Sequence, residues 1–278
     1  MIYLVLAVLS SAAISVFMRL STDKVKGNVS MLAVNYLTCL VIAGCYTGWR
    51  NILPQEAGLR GAVVMGSMQG LLYLLAFILL QINVRKNGVV LSSIFQRLGL
   101  LVPMVISVFM FGEMPELIQV IGFCVAVAAI VLINLEKDTS VMQFKTGLIL
   151  ILLCGGCADV MAKFFEELGN PALSAQFLFF TFAVALVLCT VLMLWKRERL
   201  GKAELLYGVL VGVPNYFCAK FLLRALESIP AVIVYPTFSV ATILVVTLAG
   251  VLLFKERLGR RQWMAIGIIL VALVLLNI

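Results

Sequence analysis

Residues 111–134, FGEMPELIQVIGFCVAVAAIVLIN, have a counterpart near the end of the chain in residues 254–277, FKERLGRRQWMAIGIILVALVLLN. In both stretches a glutamate is followed six positions later by a glutamine and 21 positions later by an asparagine. The two stretches begin 143 residues apart. Each leads from a short polar segment into an apolar run close to the length of about 20 residues that crosses a bilayer as an α-helix. This recurrence indicates an internal repeat of about half the chain.

A second pair of matching segments lies upstream of the first. Residues 66–70, GSMQG, match residues 208–212, GVLVG, at a distance of 142 residues. Glycines four residues apart in an apolar helix let two helix backbones pack closely, and the motif is common. Its recurrence at nearly the same distance supports the repeat. We therefore assign a structural role to these glycines, which are Gly66, Gly70, Gly208 and Gly212.

The composition excludes a soluble domain. Of the 278 residues, 63% are hydrophobic and 12% are charged, and the mean hydropathy is +1.14. Soluble domains are about half apolar and about a quarter charged, because polar residues must cover the core. A lipid-facing surface removes that need. The fold class predicted is an all-α integral membrane protein with ten transmembrane helices. The apolar runs are residues 2–20, 29–49, 59–81, 89–111, 115–134, 146–165, 172–195, 203–227, 230–254 and 261–277.

The ten predicted helices divide into two five-helix repeats, residues 1–135 and 144–278. Because five is odd, the second repeat enters the membrane from the opposite side to the first. Inverted repeats of this kind are a recurrent design of transporters, whose substrate sites lie near the bilayer midplane between the repeats. The inversion is the main indication of transport that the residues themselves provide.

The net charge of +8 is explained by membrane topology. Alternate connections hold fifteen lysines and arginines, whereas the opposite side holds two, Arg50 and Arg60. Basic residues gather in cytoplasmic loops, so this count places both termini outside a bacterial cytoplasmic (inner) membrane. Basic arms with interleaved aromatic residues, which would indicate nucleic-acid binding, do not occur. We expect membrane lipid and a small-molecule substrate as partners and no nucleic acid. A monomer and a homodimer are both compatible with the sequence.

The sequence offers no set of residues for metal or covalent chemistry. It contains no histidine, and its seven cysteines lie within apolar runs. Cys154 and Cys157 have CxxC spacing, but zinc needs further ligands, so we interpret them as small packing residues. Phosphate-binding glycine loops and carboxylate clusters at ligand spacing are also missing from the sequence. We therefore expect no metal, no cofactor, no catalytic residues and no enzymatic activity.

One family shares the pattern of the two matching stretches. Residues 253–258, LFKERL, precede Gln262 and Trp263, and the pattern recurs weakly as residues 111–115, FGEMP, followed by Gln119. With its length and two-repeat plan, the chain resembles the drug/metabolite transporter superfamily, EamA type. The relatives are generally described with cytoplasmic termini, whereas the charge count here places the termini outside.

The resemblance implies secondary transport or exchange of a small metabolite by alternating access. Substrates in the superfamily range over amino acids, sugars, nucleotide sugars and drugs. The alternative function is a membrane-embedded lipid-handling protein, such as a flippase accessory or an enzyme, without solute transport.

Charged residues inside apolar helices are the first candidates for substrate binding or coupling, because a charge at the bilayer centre costs about 3 kcal/mol or more. Asp159 is either a proton or cation site or the partner of Lys163. Lys220 is followed by Arg224 on the same helix face, so an anion is expected beside it: Asp159, Glu227 or a substrate. Arg97 is either an anion clamp or a side chain that extends towards the cytoplasm. An anionic or zwitterionic solute fits these cations.

Uncharged polar residues in the same runs could line a cavity. The candidates are Gln69, Tyr73, Gln96, Asn215, Tyr216, Tyr235 and Ser239. Glu113 and Glu256 occupy equivalent helix ends, and we interpret both as structural.

Overall fold

The computed structural model describes residues 1–22, 24–87, 92, 95–96, 98–99, 101–134, 145–254 and 260–277. The described chain is helical throughout and contains no β-strand in these ranges. The α-helices are α1 (Ile2–Ser21), α2 (Asn28–Thr47), α3 (Leu59–Asn87), α4 (Leu101–Phe111), α5 (Leu117–Asn134), α6 (Lys145–Leu168), α7 (Ser174–Trp195), α8 (Lys202–Leu226), α9 (Ala231–Phe254) and α10 (Arg260–Asn277). A 3-10 turn, Pro171–Leu173, precedes α7.

Seven of the described helices are long and apolar enough to cross a bilayer, and Leu101–Phe111 and Leu117–Ala128 are shorter apolar helices. The prediction of an all-α, multi-pass membrane protein is therefore confirmed. Ten crossings and the inversion of the second repeat stay predictions. Arg97 and Glu256 lie outside the described residues.

Helix α3 is longer than the apolar run that predicted it. Helix α3 continues to Asn87, six residues beyond the predicted end at residue 81. Hydropathy marks the membrane-crossing part of a helix, whereas the backbone hydrogen bonds continue into polar residues that tolerate helix. Asn83 illustrates this, since its side-chain amide donates to the carbonyls of Leu79 and Gly147, at 2.8 Å each.

The chain forms two compact units, each built from both ends of the sequence. Unit 1 comprises Met1–Leu74 and Met161–Glu227, and unit 2 comprises Leu75–Val160 and Ser228–Ile278. In unit 1, α8 packs against α1 and α2, and α2 also packs against α7. In unit 2, α10 packs against α5 and α9, and α9 packs against α4 and α5. The units are groupings in space, whereas the predicted repeats are divisions of the sequence.

Glycines set the closeness of two helix pairs in unit 1. A Cβ atom added at Gly66 or Gly70 of α3 would collide with the backbone carbonyls of Phe177 and Thr181 in α7. In α8, a Cβ added at Gly208 or Gly212 would overlap residues of α2. Small residues at such crossings bring two backbones close enough for extensive van der Waals contact, which is the main attraction between helices in lipid.

Glutamates occupy helix N-termini in both units. Glu198 accepts hydrogen bonds from the backbone N–H groups of Val29 (3.0 Å) and Ser30 (2.9 Å) at the start of α2. In unit 2, Glu113 accepts from the N–H of Val232 (3.3 Å) in the first turn of α9. The first N–H groups of a helix have no partner within the helix, and the helix dipole favours negative charge there. A capping contact therefore explains a glutamate at position 113.

We expect opposite effects from two glycine-to-alanine substitutions in α3. Gly70→Ala should lower stability by about 1–3 kcal/mol, because the added methyl group collides with α7. Gly61→Ala is the matched control, since no atom lies within 4 Å of the added Cβ. It should leave stability unchanged or raise it, because alanine favours helix by up to about 1 kcal/mol. Thermal unfolding of both variants in detergent measures the difference. Equal melting temperatures would show that the α3–α7 contact is looser than described.

Candidate functional site

A cavity opens in unit 1 where α2 ends, α7 begins and α8 ends. Its volume is about 240 Å³. The lining residues are Tyr46, Pro171, Ala172, Ser174, Ala175, Leu178, Tyr216, Lys220, Leu223, Arg224 and Glu227. Two of the predicted site residues, Tyr216 and Lys220, are one helical turn apart on α8 and meet in this cavity. The chain topology thus brings three helix ends together around one lysine.

Lys220 lies over an aromatic ring. Its Nζ atom is 3.1 Å from the centroid of the Tyr46 ring, which is a cation–π contact. The Tyr46 ring is in turn stacked on Tyr216, with 5.7 Å between the centroids and 15° between the planes. Phe217 packs edge-on against both tyrosines, at centroid distances of 6.5 Å and 5.5 Å. Lys220 is therefore held by the negative face of a ring that other rings fix in place.

The other two charged groups of the cavity neutralise each other. Arg224 donates to the Glu227 carboxylate at 2.8 Å, and 47% of the arginine side chain is exposed. Of the anions expected beside Lys220, Glu227 is thus engaged by Arg224. Among the residues of unit 1 that the structure describes, Lys220 pairs with no carboxylate. The cavity carries a net charge of one positive unit.

Tyr216 contributes an unsatisfied polar group. The residue is fully buried, and its hydroxyl has no hydrogen-bond partner in the described part of the chain. Buried hydroxyls almost always have a partner, because leaving one unmatched costs about 1–3 kcal/mol. The Tyr216 hydroxyl is thus a buried polar group that the described chain leaves unmatched.

Asn215 pairs with a residue that the sequence analysis missed. Its side-chain amide donates to the Oδ1 atom of Asn35 in α2, at 3.1 Å. Asn35 is buried, and one turn further along α2 the Cys39 thiol donates to the carbonyl of Gly212 at 3.2 Å. Asn35 is a polar residue within the apolar run 29–49, and that signal could have identified it.

Gln69 and Tyr73 form a second polar pair in unit 1. The Gln69 amide donates to the Tyr73 hydroxyl at 3.3 Å, and Gln69 Oε1 lies 3.1 Å from the hydroxyl of Thr181 in α7. The Thr181 hydroxyl also lies 2.8 Å from the carbonyl of Phe177 and donates to one acceptor at a time. These contacts join α3 to α7 beside the glycine crossing.

Unit 2 holds a different group of predicted residues. The Tyr235 hydroxyl donates to the backbone carbonyl of Asp159 at 2.9 Å and so joins α9 to α6. The Asp159 carboxylate is half-buried and has no hydrogen bond or ion pair with a described residue of this unit. Ser239, one turn beyond Tyr235, is buried, and its hydroxyl has no partner in the ranges the structure covers. Gln96 is exposed.

A buried lysine near the end of α6 forms ion pairs with two glutamates of the same helix. Lys163 is 1% exposed, and its ammonium lies 2.7 Å from Glu166 and 2.6 Å from Glu167. The two glutamates lie one turn beyond Lys163 and hold the lysine that the sequence offered as a partner for Asp159. That alternative for Asp159 stays a prediction.

Long apolar helices that carry polar and charged side chains around a cavity define a multi-pass membrane protein with a polar cavity. The particular family follows from a comparison with family models. The EamA-like transporter family model matches residues 1–135 and again residues 145–278. The chain belongs to this family, and it contains two copies of the family unit.

Two individual proteins are similar to nearly the whole chain. An uncharacterised protein of Haemophilus influenzae (strain ATCC 51907 / DSM 11121 / KW20 / Rd) is 27% identical over 277 residues, which cover 95% of this chain and 93% of that protein. A protein of known crystal structure shares the fold with a TM-score of 0.74 at 15% identity, over 99% of this chain and 94% of the other.

The Lys163 cluster allows a test of buried charge. Lys163→Gln leaves two carboxylates facing each other in a poorly solvated site, and we expect a loss of about 3 kcal/mol of stability. Glu167→Gln is the milder control, because Lys163 keeps Glu166. The triple variant Lys163→Met, Glu166→Gln, Glu167→Gln should regain most of the loss. Thermal unfolding in detergent measures all three, and a wild-type melting temperature for Lys163→Gln would contradict the ion-pair assignment.

Proposed function

We propose that the protein carries a small metabolite with an anionic or zwitterionic group across the cytoplasmic membrane by alternating access, as a secondary transporter or exchanger. Family membership supports transport of a small molecule. The observation that carries the choice of solute is Lys220, a cation in a cavity between apolar helices with an aromatic ring as its described neighbour. A charge kept inside a membrane protein without a structural counter-ion marks a substrate or ion pathway.

The size of the cavity supports a small solute. At about 240 Å³ it is smaller than the pockets of about 300–1,000 Å³ that hold drug-sized ligands. It corresponds to roughly eight water molecules at about 30 Å³ each. A solute of amino-acid size fits that volume, whereas a lipid with two acyl chains does not.

Transport by the purified protein in liposomes tests the proposal. We expect counterflow of at least one small anionic or zwitterionic metabolite from a broad panel. The double variant Lys220→Ala, Arg97→Ala should lose counterflow by at least about tenfold, the effect of about 1.4 kcal/mol of lost interaction. Lys202→Ala is the matched control, because it removes the same charge from the exposed start of α8.

Two outcomes would contradict this proposal in different ways. Lipid scrambling without counterflow of any solute would favour the lipid-handling alternative. Normal counterflow in the double variant would show that the solute does not depend on these two cations.

Asp159 is the residue we propose for coupling. A carboxylate in the middle of an apolar helix, without a described partner in its unit, is costly to keep and is well suited to bind a proton or cation. Asp159→Asn should abolish accumulation driven by a proton or sodium gradient while exchange under equal gradients continues. Asp159→Glu is the control and should keep part of the accumulation. Gradient-driven accumulation at the wild-type level in Asp159→Asn would exclude Asp159 from coupling.

A further inference from the structure

We infer that the cavity of unit 1 selects monocarboxylates with a short apolar body over zwitterions of the same shape, with Lys220 as the counter-ion and the Tyr216 hydroxyl as a hydrogen-bond donor. The inference rests on the proposed function, since it names the solute class of the same site. Lys220 alone is compatible with anionic and with zwitterionic solutes, and this inference selects the anionic ones.

The charged groups of the cavity favour a solute with one negative charge. Three charged residues line it, and two of them, Arg224 and Glu227, are joined at 2.8 Å. The remaining charge is that of Lys220. A solute with one negative charge neutralises the cavity, whereas a zwitterion leaves the positive charge in place and adds an ammonium group beside it. Like charges brought close together disfavour binding.

The hydrogen-bond donors of Lys220 and Tyr216 match the two oxygens of a carboxylate. The Tyr216 hydroxyl is buried without a partner in the described chain, and Tyr216 and Lys220 line the same cavity one turn apart on α8. A carboxylate has two oxygens, so one can accept from the ammonium and the other from the phenol. Hydrogen bonds to an ionised acceptor are about twice as strong as neutral ones. A dianion, such as a phosphate ester, would exceed the single available positive charge.

The remaining wall of the cavity is mostly apolar. Apart from the charged residues and the hydroxyl-bearing Tyr46, Ser174 and Tyr216, the cavity is lined by Pro171, Ala172, Ala175, Leu178 and Leu223. These five side chains provide no hydrogen-bond partner for an amino or hydroxyl substituent. In about 240 Å³ they accommodate a body of a few carbon atoms. This part of the wall therefore favours an apolar tail.

The contact between Lys220 and Tyr46 is compatible with this use of the lysine. An aromatic face holds an ammonium more weakly than a carboxylate does, since it offers a quadrupole and not a full charge. The ammonium can therefore leave the ring for a solute carboxylate, while the stacked tyrosines keep its resting position fixed. A chain carboxylate in the place of Tyr46 would occupy the lysine permanently.

Binding of matched solutes to the purified full-length protein in detergent tests the inference. The probes are straight and branched monocarboxylates of three to six carbons, each with its amino-acid and amide counterpart; 4-methylpentanoate, leucine and 4-methylpentanamide form one such set. We expect at least one monocarboxylate to bind about tenfold or more tightly than both counterparts, by calorimetry and thermal shift. No binding by any monocarboxylate, or tighter binding of the zwitterions, would overturn the inference.

Variants of the two polar residues identify the site. Lys220→Met, which keeps the length of the side chain, should weaken binding of the best monocarboxylate by about tenfold or more, and Lys220→Arg should keep part of it. Tyr216→Phe should weaken binding severalfold, because it removes only the hydroxyl. Lys202→Met is the control at the other end of α8. Unchanged affinity in folded Lys220→Met or in Tyr216→Phe would overturn the inference.

The same proteins separate this inference from the proposed function. Binding with these preferences but without counterflow in liposomes would reject transport and leave the selectivity of the cavity standing. Counterflow that is unaffected by Lys220→Met would support transport and reject this cavity as the site. Loss of folding in Lys220→Met, seen as aggregation in size-exclusion chromatography, leaves Lys220→Arg and Tyr216→Phe to decide.

Discussion

In the hydrocarbon core of a bilayer no water is available to satisfy a polar group, so every hydrogen bond must be made within the chain. The described residues meet this constraint with helices, which satisfy their own backbones, and with polar pairs between helices. Asn215 bonds to Asn35, and Tyr235 bonds to the backbone of Asp159. Glutamates such as Glu198 complete a helix N-terminus. The close glycine crossings follow from the same constraint, since attraction between helices in lipid depends on direct contact.

In such an environment, a polar group without a partner among the described residues indicates a function beyond stability. The buried hydroxyls of Tyr216 and Ser239 are costly to keep, because the described residues offer them no hydrogen-bond partner. Lys220 is half-buried, and the described group beside its ammonium is an aromatic ring. Lys163 shows what the chain does when a buried lysine is structural, since two glutamates lie within hydrogen-bond distance of it. The two lysines thus differ in burial and in the partners that surround them, and the difference separates a structural ion cluster from a candidate binding site.

The sequence was informative about the membrane fold and less informative about contacts. Apolar runs predict crossings because their length is set by the bilayer, and the repeat is visible because its glutamates and asparagines keep their spacing. The pairing of Tyr46 with Lys220 and that of Asn35 with Asn215 could not be predicted, since more than 170 positions separate the partners and only packing brings them together. Hydropathy also placed the end of α3 too early, because it does not sense where a helix continues beyond the lipid.

The group beside Lys220 is an aromatic ring and not a carboxylate, and this difference affects how a solute binds. A buried lysine paired with a carboxylate is electrically satisfied, and a solute must then displace that partner at a large desolvation cost. A lysine with no partner at all would tend to lose its proton or unfold its surroundings. A stacked tyrosine is intermediate between a carboxylate partner and no partner. It stabilises the ammonium by a moderate amount and leaves the full positive charge of the ammonium for an incoming anion. Such a contact both maintains the cation and keeps it available, which a reversible binding site requires.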